Sequence, residues 1–240
     1  MRIYDDCYQL MSEMMRDVWE MGQTVAPNSY QNKIIKGDEE FLTKEFQNYT
    51  YTLTSLKKEK ALFFFTGDSV KDWAKREFSE RIAGNDFKNP GEAWKTRPEV
   101  WTQFLNSNQE FDYTYNERIR ASLDEILREL VLNPDTRQAW MPIFWPGDTE
   151  YLGGKRRIPC SLGYFFSVRD GQLNMTYIQR SADLVTHLGN DIYLAWQMMD
   201  YVARYIFVKP GFLTHMIFSL HAYKKDWPAL EKGLSTMKSK

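Results

Sequence analysis

The feature that most constrains this 240-residue chain is a hairpin written around Asp170-Gly171. An Asp-Gly pair suits a two-residue type I′ turn, because both central residues take positive φ there. It sits between two runs that read as strands, CSLGYFFSV (160–168) and QLNMTYIQ (172–179). With Asp170 and Gly171 as the turn, Arg169 pairs with Gln172, and counting outward brings Cys160 opposite Ser181. A bulge would shift that pairing by one residue without parting the groups. A cysteine that follows a proline is thereby set beside Gln179, Arg180 and Ser181, and the rest of the fold has to accommodate that juxtaposition.

Around the hairpin the chain alternates helix and strand. Cys7, Met11, Met14, Val18 and Met21 recur at helical spacing up to Gly22, so Cys7 belongs to an apolar stripe. Residues 24–38 have loop composition, and Asn48 to Leu56 alternates as a half-buried strand. A short helix is expected from Lys71 to Ile82, and a long amphipathic one from Tyr115 to Leu132, stopped by Asn133-Pro134. Ala139 to Trp145 and Met216 to Leu220 read as strands, Asp191 to Phe207 as a buried helix, and Trp227 to about Met237 as a final helix behind Asp226. No repeat or composition break marks a second domain, so one domain over 1–240 is expected.

Composition excludes several classes. Lys and Arg number 31 against 32 Asp and Glu, for a net charge of -1, which disfavours duplex nucleic acid as a partner. Two cysteines make no disulfide framework, no apolar run approaches the ~20 residues of a membrane span, and the polar start is no signal peptide. A reducing cytoplasm is the expected setting. Aromatic residues reach 15%, enough to fill a core or to line a pocket for a flat ligand.

Cys160 is the first chemical candidate, because Lys155, Arg156, Arg157 and Arg180 nearby would stabilise its thiolate; the plainer account is a buried sheet cysteine. Arg180-Ser181 suits a phosphate, although a salt bridge to Asp183 would also explain the arginine. His221 and Tyr223 alternate on one strand face and suit a sugar hydroxyl, or are simply satisfied polar groups. His187 and His215 have no partner at metal-ligand spacing, so no metal is expected.

Taken in order, Ile158-Pro159-Cys160, Gln179-Arg180-Ser181-Ala182-Asp183, Asn190-Asp191 and His221-Ala222-Tyr223 resemble the nucleotide site of the thymidylate synthase family. Asn133-Pro134-Asp135-Thr136-Arg137 resembles its phosphate-binding arginine loop, and Arg76-Glu77-Phe78 and Trp101 fall where the family carries a glutamate and a folate-side tryptophan. The likeness is specific from about 133 to 223 and slight before 76. It implies an α+β fold, a large mixed β-sheet covered by helices, and a homodimer formed sheet to sheet. It also implies a pyrimidine deoxynucleoside monophosphate as substrate and methylenetetrahydrofolate as co-substrate. By the same likeness Cys160 adds to the pyrimidine and Glu77 handles protons. Arg180, Ser181 and Arg137 hold the phosphate, with Arg137 reaching across the dimer. Gln179 and Asn190 join the substrate site, His221 and Tyr223 bind the deoxyribose, and Trp101 and Asp183 serve the folate side.

One position separates branches of the family. Its synthases have asparagine eight residues beyond the aspartate of the second motif, where the amide reads uracil; here that position is Asp191. A carboxylate instead accepts from the exocyclic amine of cytosine, and a shared proton would serve the ring nitrogen. A helix N-cap is the plainer role for such an aspartate. The string Gly189-Asn190-Asp191 with Trp196 is similar to the deoxycytidylate hydroxymethylases of bacteriophages. That branch implies conversion of dCMP to 5-hydroxymethyl-dCMP.

The sequence also departs from ordinary synthases. Gln138 stands where a second arginine is usual, and no N-terminal phosphate-loop arginine is evident, leaving Lys33, Lys155, Arg156 or Arg157 as substitutes. The chain ends at Ser239-Lys240 without an apolar closing tail. The competing readings are a dCMP or dUMP methylase releasing dihydrofolate, a relative acting on CMP, and a non-catalytic nucleotide- or RNA-binding relative. A DNA cytosine methyltransferase using S-adenosylmethionine would need a glycine-rich cofactor loop, which the sequence lacks.

Overall fold

The computed structural model describes residues 2–238; the end of the chain at Ser239-Lys240 lies outside the described residues. The first half contains β1 (Arg2–Tyr4), α1 (Cys7–Met21), β2 (Gln23–Val25), β3 (Ser29–Tyr30), β4 (Lys33–Ile34) and β5 (Thr43–Leu53). It continues through α2 (Asp68–Arg81), α3 (Pro98–Trp101), α4 (Tyr115–Arg120) and α5 (Leu123–Leu132). The second half contains β6 (Trp140–Pro142), β7 (Ser161–Arg169), β8 (Gln172–Gln179), β9 (Ala182–Asp183), α6 (Leu188–Tyr205), β10 (Lys209–Tyr223) and α7 (Trp227–Lys238).

The main sheet runs β1-β5-β10-β8-β7-β6, with β2 added to β5 and β9 to β10. It is mixed: β10 lies antiparallel to β5 but parallel to β8. A parallel neighbour requires a crossover, and α6 supplies it between β8 and β10. This is the expected α+β architecture of a large mixed sheet flanked by helices. None of the helices among the described residues is long and apolar enough to cross a membrane.

The hairpin obeys its turn. Asp170 and Gly171 have φ of 51° and 70°, and Arg169 pairs with Gln172 as counted. The register holds to Gly163–Ile178, then slips by one, so that Ser161 pairs with Gln179 and the Arg180 N–H donates to the Cys160 carbonyl at 2.9 Å. A bulge at the mouth of the hairpin therefore sets Cys160 against Arg180 rather than Ser181.

On one side of the sheet α1 buries Cys7, Leu10, Met11, Met14, Met15 and Val18, and Asp6 starts it by accepting the Gln9 N–H at 2.8 Å. Burial pushes the Cys7 thiol up to about 12, which fits the inert apolar role expected of it. A second cluster joins α5 and α6 to the inner faces of β7 and β8, through Leu127, Met199, Phe166 and Met175. The opposite face of the sheet carries partly exposed side chains: Phe218 is 45% and Trp140 39% exposed.

Several elements differ from expectation; β5 spans Thr43–Leu53 instead of Asn48–Leu56, and the loop expected over 24–38 holds the short pair β3–β4. The helix expected over Tyr115–Leu132 is two, because the chain turns at Ala121–Ser122 and restarts with Asp124 and Glu125 in a new first turn. The strand expected over Ala139–Trp145 shortens to β6, after which Asp148 makes a buried bidentate pair with Arg118, both bonds 2.9 Å. β10 is far longer than Met216–Leu220, extending from Lys209, and a bulge between Pro210 and Leu213 breaks its alternation.

Close approach fixes where α6 begins. A Cβ built on Gly189 would lie 1.8 Å from the Leu62 carbonyl oxygen, so only glycine lets this turn meet that backbone. Gly→Ala inside a helix normally gains about 1 kcal/mol. Here Gly189→Ala is expected to lose about 2–4 kcal/mol in urea unfolding, through forced backbone displacement.

Candidate functional site

The hairpin mouth, the carboxyl ends of β8 and β10, and the first turn of α6 converge at one end of the sheet. Parallel neighbours leave a crevice at their carboxyl ends, and α6 returns over it. The cavity there is lined by Cys160, Arg180, Ser181, Asp183, Asn190, Asp191, His221 and Tyr223, with Trp101 on its wall.

Cys160 has two N–H neighbours: Gln31 Nε2 at 3.5 Å and Arg180 Nη2 at 3.7 Å from Sγ. Arg180 is held in place by the carbonyls of Pro159 (2.9 Å) and Ile158 (3.3 Å), so its guanidinium stays at the hairpin mouth. It makes no ion pair with Asp183. That carboxylate instead caps the following turn, accepting the N–H groups of Val185 and Thr186 at 3.0 Å each. A phosphate or a thiolate would thus meet an arginine whose charge is not spent on a protein acid.

Asp191 does not cap its helix. His187 is the N-cap of α6, and Asp191 lies in its first turn with its own N–H donated to the His187 carbonyl. Its side chain turns to Gln179, whose Nε2 donates to Asp191 Oδ2 at 2.7 Å. Burial raises the Asp191 carboxyl to about 6, against the opposing pull of the Gln179 bond and Arg81. Asn190, 2% exposed, leaves its Oδ1 buried without a partner beside it, an acceptor that fits a ligand N–H.

His221 and Tyr223 share one face of β10 as expected, their rings 5.0 Å apart and both buried. Burial lowers the pKa of His221, leaving a neutral ring that can donate or accept.

Three other expected residues lie off the wall of this cavity. Gln179 is 1% exposed and stands behind Asp191 rather than on the cavity wall. Glu77, on α2, faces an adjoining chamber that shares Trp73, Trp101 and Arg157 with the first, and it accepts from Arg81 Nε at 2.9 Å. Arg137 lies with Gln138 on the surface loop after α5 and does not line the cavity of its own chain.

The structure chooses among the candidate cations and adds one group the sequence reading missed. Of the four cations considered as substitutes for a phosphate-loop arginine, only Arg157 lines the cavity. Lys33 donates to Gln103, Lys155 to the Glu150 carbonyl, and Arg156 pairs with Asp112. Arg157 is 9% exposed and packed among Trp101, Phe104, Phe111 and Tyr113, with its guanidinium carbon 4.7–5.6 Å from their ring centroids. Gln31 reaches Cys160 from the β3–β4 turn, where its φ is 54°. Nothing in its polar loop composition signals that role.

The adjoining chamber is walled by the Trp73–Trp101 stack (5.5 Å, 17°) together with Trp94 and Phe111. The indole N–H groups of Trp73, Trp94 and Trp101 are buried there without acceptors. A flat ligand bearing acceptor atoms fits such a wall.

Comparison with known proteins agrees with this arrangement. Residues 85–240 match the family model described as thymidylate synthase. A protein named "Putative thymidylate synthase" from Methanosarcina barkeri is 31% identical over 135 residues, covering 52% of this chain and 59% of that one. The thymidylate synthase of Mycoplasma pneumoniae is 24% identical over 171 residues, 71% of this chain and 53% of that protein. The deoxyuridylate hydroxymethyltransferase of Bacillus phage SP01 is 24% identical over 232 residues, 92% of this chain and 58% of that protein. The aligned part is thus well under two thirds of each of these relatives' length. With the family model covering well over half of its residues and the mixed sheet built to match, the chain belongs to the thymidylate synthase family.

Proposed function

We propose that the protein transfers a one-carbon unit to carbon 5 of dCMP, forming 5-hydroxymethyl-dCMP. The observation that carries the choice of base is Asp191, a carboxylate in the cavity where the family's synthases hold an amide, kept as an acceptor by the Gln179 N–H. An acceptor suits the cytosine amine and meets the uracil carbonyl as two opposed lone pairs.

In this reading Cys160 Sγ adds to carbon 6 of the pyrimidine, making carbon 5 nucleophilic, and is released when the product forms. Asp191 holds the charge that builds on the cytosine amidine. Arg180 and Ser181 bind the phosphate, with Arg157 the added cation on the same cavity. His221 and Tyr223 bind the sugar. The co-substrate, methylenetetrahydrofolate, supplies carbon at the methylene oxidation level; carbon 5 gives up its proton, water supplies the hydroxyl, and tetrahydrofolate leaves without a change of oxidation state. Trp101 and the indole-lined chamber would form its wall, and Asp183, given to the folate side by the family likeness, lines the nucleotide cavity and not that chamber. Glu77 moves protons through water from the edge of that chamber. Dimerisation through the sheet face bearing Phe218 and Trp140 is part of the proposal, because it would cover that face and bring Arg137 to the neighbouring phosphate.

Mass analysis of the nucleotide after incubation with dCMP and methylenetetrahydrofolate tests the reading. A product heavier by CH2O, with no dihydrofolate absorbance, is expected. Stoichiometric dihydrofolate would overturn hydroxymethylation in favour of methylation. The second reading is hydroxymethylation of dUMP, favoured by the similarity to the phage deoxyuridylate enzyme along most of the chain; preferential turnover of dUMP would establish it over the first.

A further inference from the structure

Behind Asp191 and Gln179 runs a buried chain whose further members, Tyr51 and His215, the proposed reaction does not use. Tyr51 Oη lies 2.9 Å from His215 Nδ1, His215 Nε2 lies 2.9 Å from Gln179 Oε1, and Gln179 Nε2 lies 2.7 Å from Asp191 Oδ2. Tyr51 and His215 are 0% exposed, and neither lines the cavity. We infer that Tyr51 and His215 are positioning residues that fix which end of the Gln179 amide meets Asp191, and thereby which pyrimidine Asp191 accepts. The inference rests on the reading of Asp191 as the group that recognises the base.

The polarity of the chain follows from counting donors. Burial lowers the His215 pKa to about 3 and raises the Tyr51 phenol well above its ordinary value, so both groups are neutral. A neutral imidazole has one donor and one acceptor nitrogen. In one arrangement the Tyr51 O–H donates to Nδ1, Nε2–H donates to the Gln179 carbonyl, and the Gln179 N–H donates to Asp191. Every donor then has an acceptor. In the reverse arrangement the imidazole donates to Tyr51 oxygen and accepts from the Gln179 N–H. The phenol O–H is then left without an acceptor, since Tyr51 Oη has no other hydrogen-bond partner among the described residues. The Gln179 carbonyl would also face Asp191 Oδ2, oxygen against oxygen, unless that carboxyl were protonated. Leaving a buried O–H unpaired forfeits its desolvation with no bond in return, so the first arrangement prevails. Stacking of His215 on Tyr177 at 4.5 Å, and of Tyr177 on Tyr164 at 4.7 Å, holds the imidazole plane in register.

The consequence is that Asp191 Oδ2 is an acceptor already engaged, and Asp191 meets the base as a carboxylate. Were the amide free to turn, Asp191 would spend a proton on the Gln179 carbonyl and meet the base as an uncharged acid, a weaker acceptor for the cytosine amine.

Two measurements test this. Nitrogen-15 spectra of the imidazole in the intact protein should show His215 protonated at Nε2; protonation at Nδ1 would overturn the inference, whichever nucleotide the enzyme prefers. His215→Phe keeps the ring stack but removes the donor, and should lower the dCMP-to-dUMP ratio of kcat/KM by about 10-fold. His215→Gln, which can both accept from Tyr51 and donate to Gln179, should restore most of that ratio. Equal losses on both nucleotides, with no rescue by His215→Gln, would reduce His215 to packing and sink the proposal. If the unsubstituted enzyme favours dUMP, the reading of Asp191 fails, and the spectrum still decides the polarity of the chain.

Discussion

Cys160→Ala is expected to lower turnover of dCMP by roughly 10⁴-fold or more, while nucleotide affinity changes by only a few-fold. The asymmetry follows from where the sulfur sits. Cys160 is only partly buried and contributes little packing, so its loss leaves the hairpin intact. Arg180 keeps its place through the Pro159 and Ile158 carbonyls, bonds that do not involve the thiol. Phosphate binding therefore survives, and what disappears is the covalent step that makes carbon 5 nucleophilic. Cys160→Ser should fall almost as far, because a hydroxyl is a much weaker nucleophile than a thiolate. Rapid-quench turnover beside calorimetric titration with dCMP separates the two effects. Turnover within ten-fold of the parent in Cys160→Ala would remove the covalent mechanism altogether.

The juxtaposition behind that prediction was legible because it is local. Asp170-Gly171 dictates a tight turn, the alternation on either side dictates two strands, and counting brings Cys160 to Arg180 and Ser181 within one residue. The bulge that decides between them leaves no mark in the sequence, since it depends on how the hairpin mouth meets the loop bearing Ile158 and Pro159. Asp191 was singled out by the family resemblance, eight residues beyond Asp183, and its helix begins three residues earlier than expected, at Leu188. What stayed hidden lies across the sheet. Tyr51 reads as one member of an alternating strand and His215 as a histidine without partners. Only the pairing of β5 with β10, which sets His215 directly opposite Tyr51, turns them into a chain. Gln31 was hidden for a related reason, since a polar loop carries no period, while Arg157 was one of four candidate cations between which only tertiary packing decides. The unexpected length of β10 has another cause. Its bulge is filled by Asn174 Oδ1, which accepts the Phe212 N–H at 3.1 Å, and exposed Phe212 and Phe218 obscure the alternation.

Asp191→Asn should change what the enzyme does and make the protein more stable, two results that share one cause. At the cavity the substitution exchanges an acceptor for an amide. The Gln179 N–H still points at position 191, so the new side chain turns its oxygen to Gln179 and its NH2 toward the base. That group donates to the uracil carbonyl and opposes the cytosine amine. The dCMP-to-dUMP ratio of kcat/KM is expected to fall on the order of 10³-fold, because a site built around one hydrogen-bond pattern leaves buried groups unpaired with the other. In the folded protein without ligand the balance runs the opposite way. Burial raises the Asp191 carboxyl from 3.8 to about 6. An acid raised on folding loses stability as pH climbs from its unfolded value through its folded one, so above about pH 6 the whole penalty applies, on the order of 3 kcal/mol. An amide carries no such penalty. Asp191→Asn should therefore stabilise the protein by about 1–3 kcal/mol in urea unfolding at pH 7.5, with the gain fading as pH falls toward 4. A variant that unfolds at the parent's urea concentration at pH 7.5 as well as at pH 4, and keeps its preference for dCMP, would show that the carboxylate neither reads the base nor bears the cost of burial. A gain in stability together with the reversal of preference would mean that the fold carries a destabilising charge at the one position where recognition of cytosine requires it.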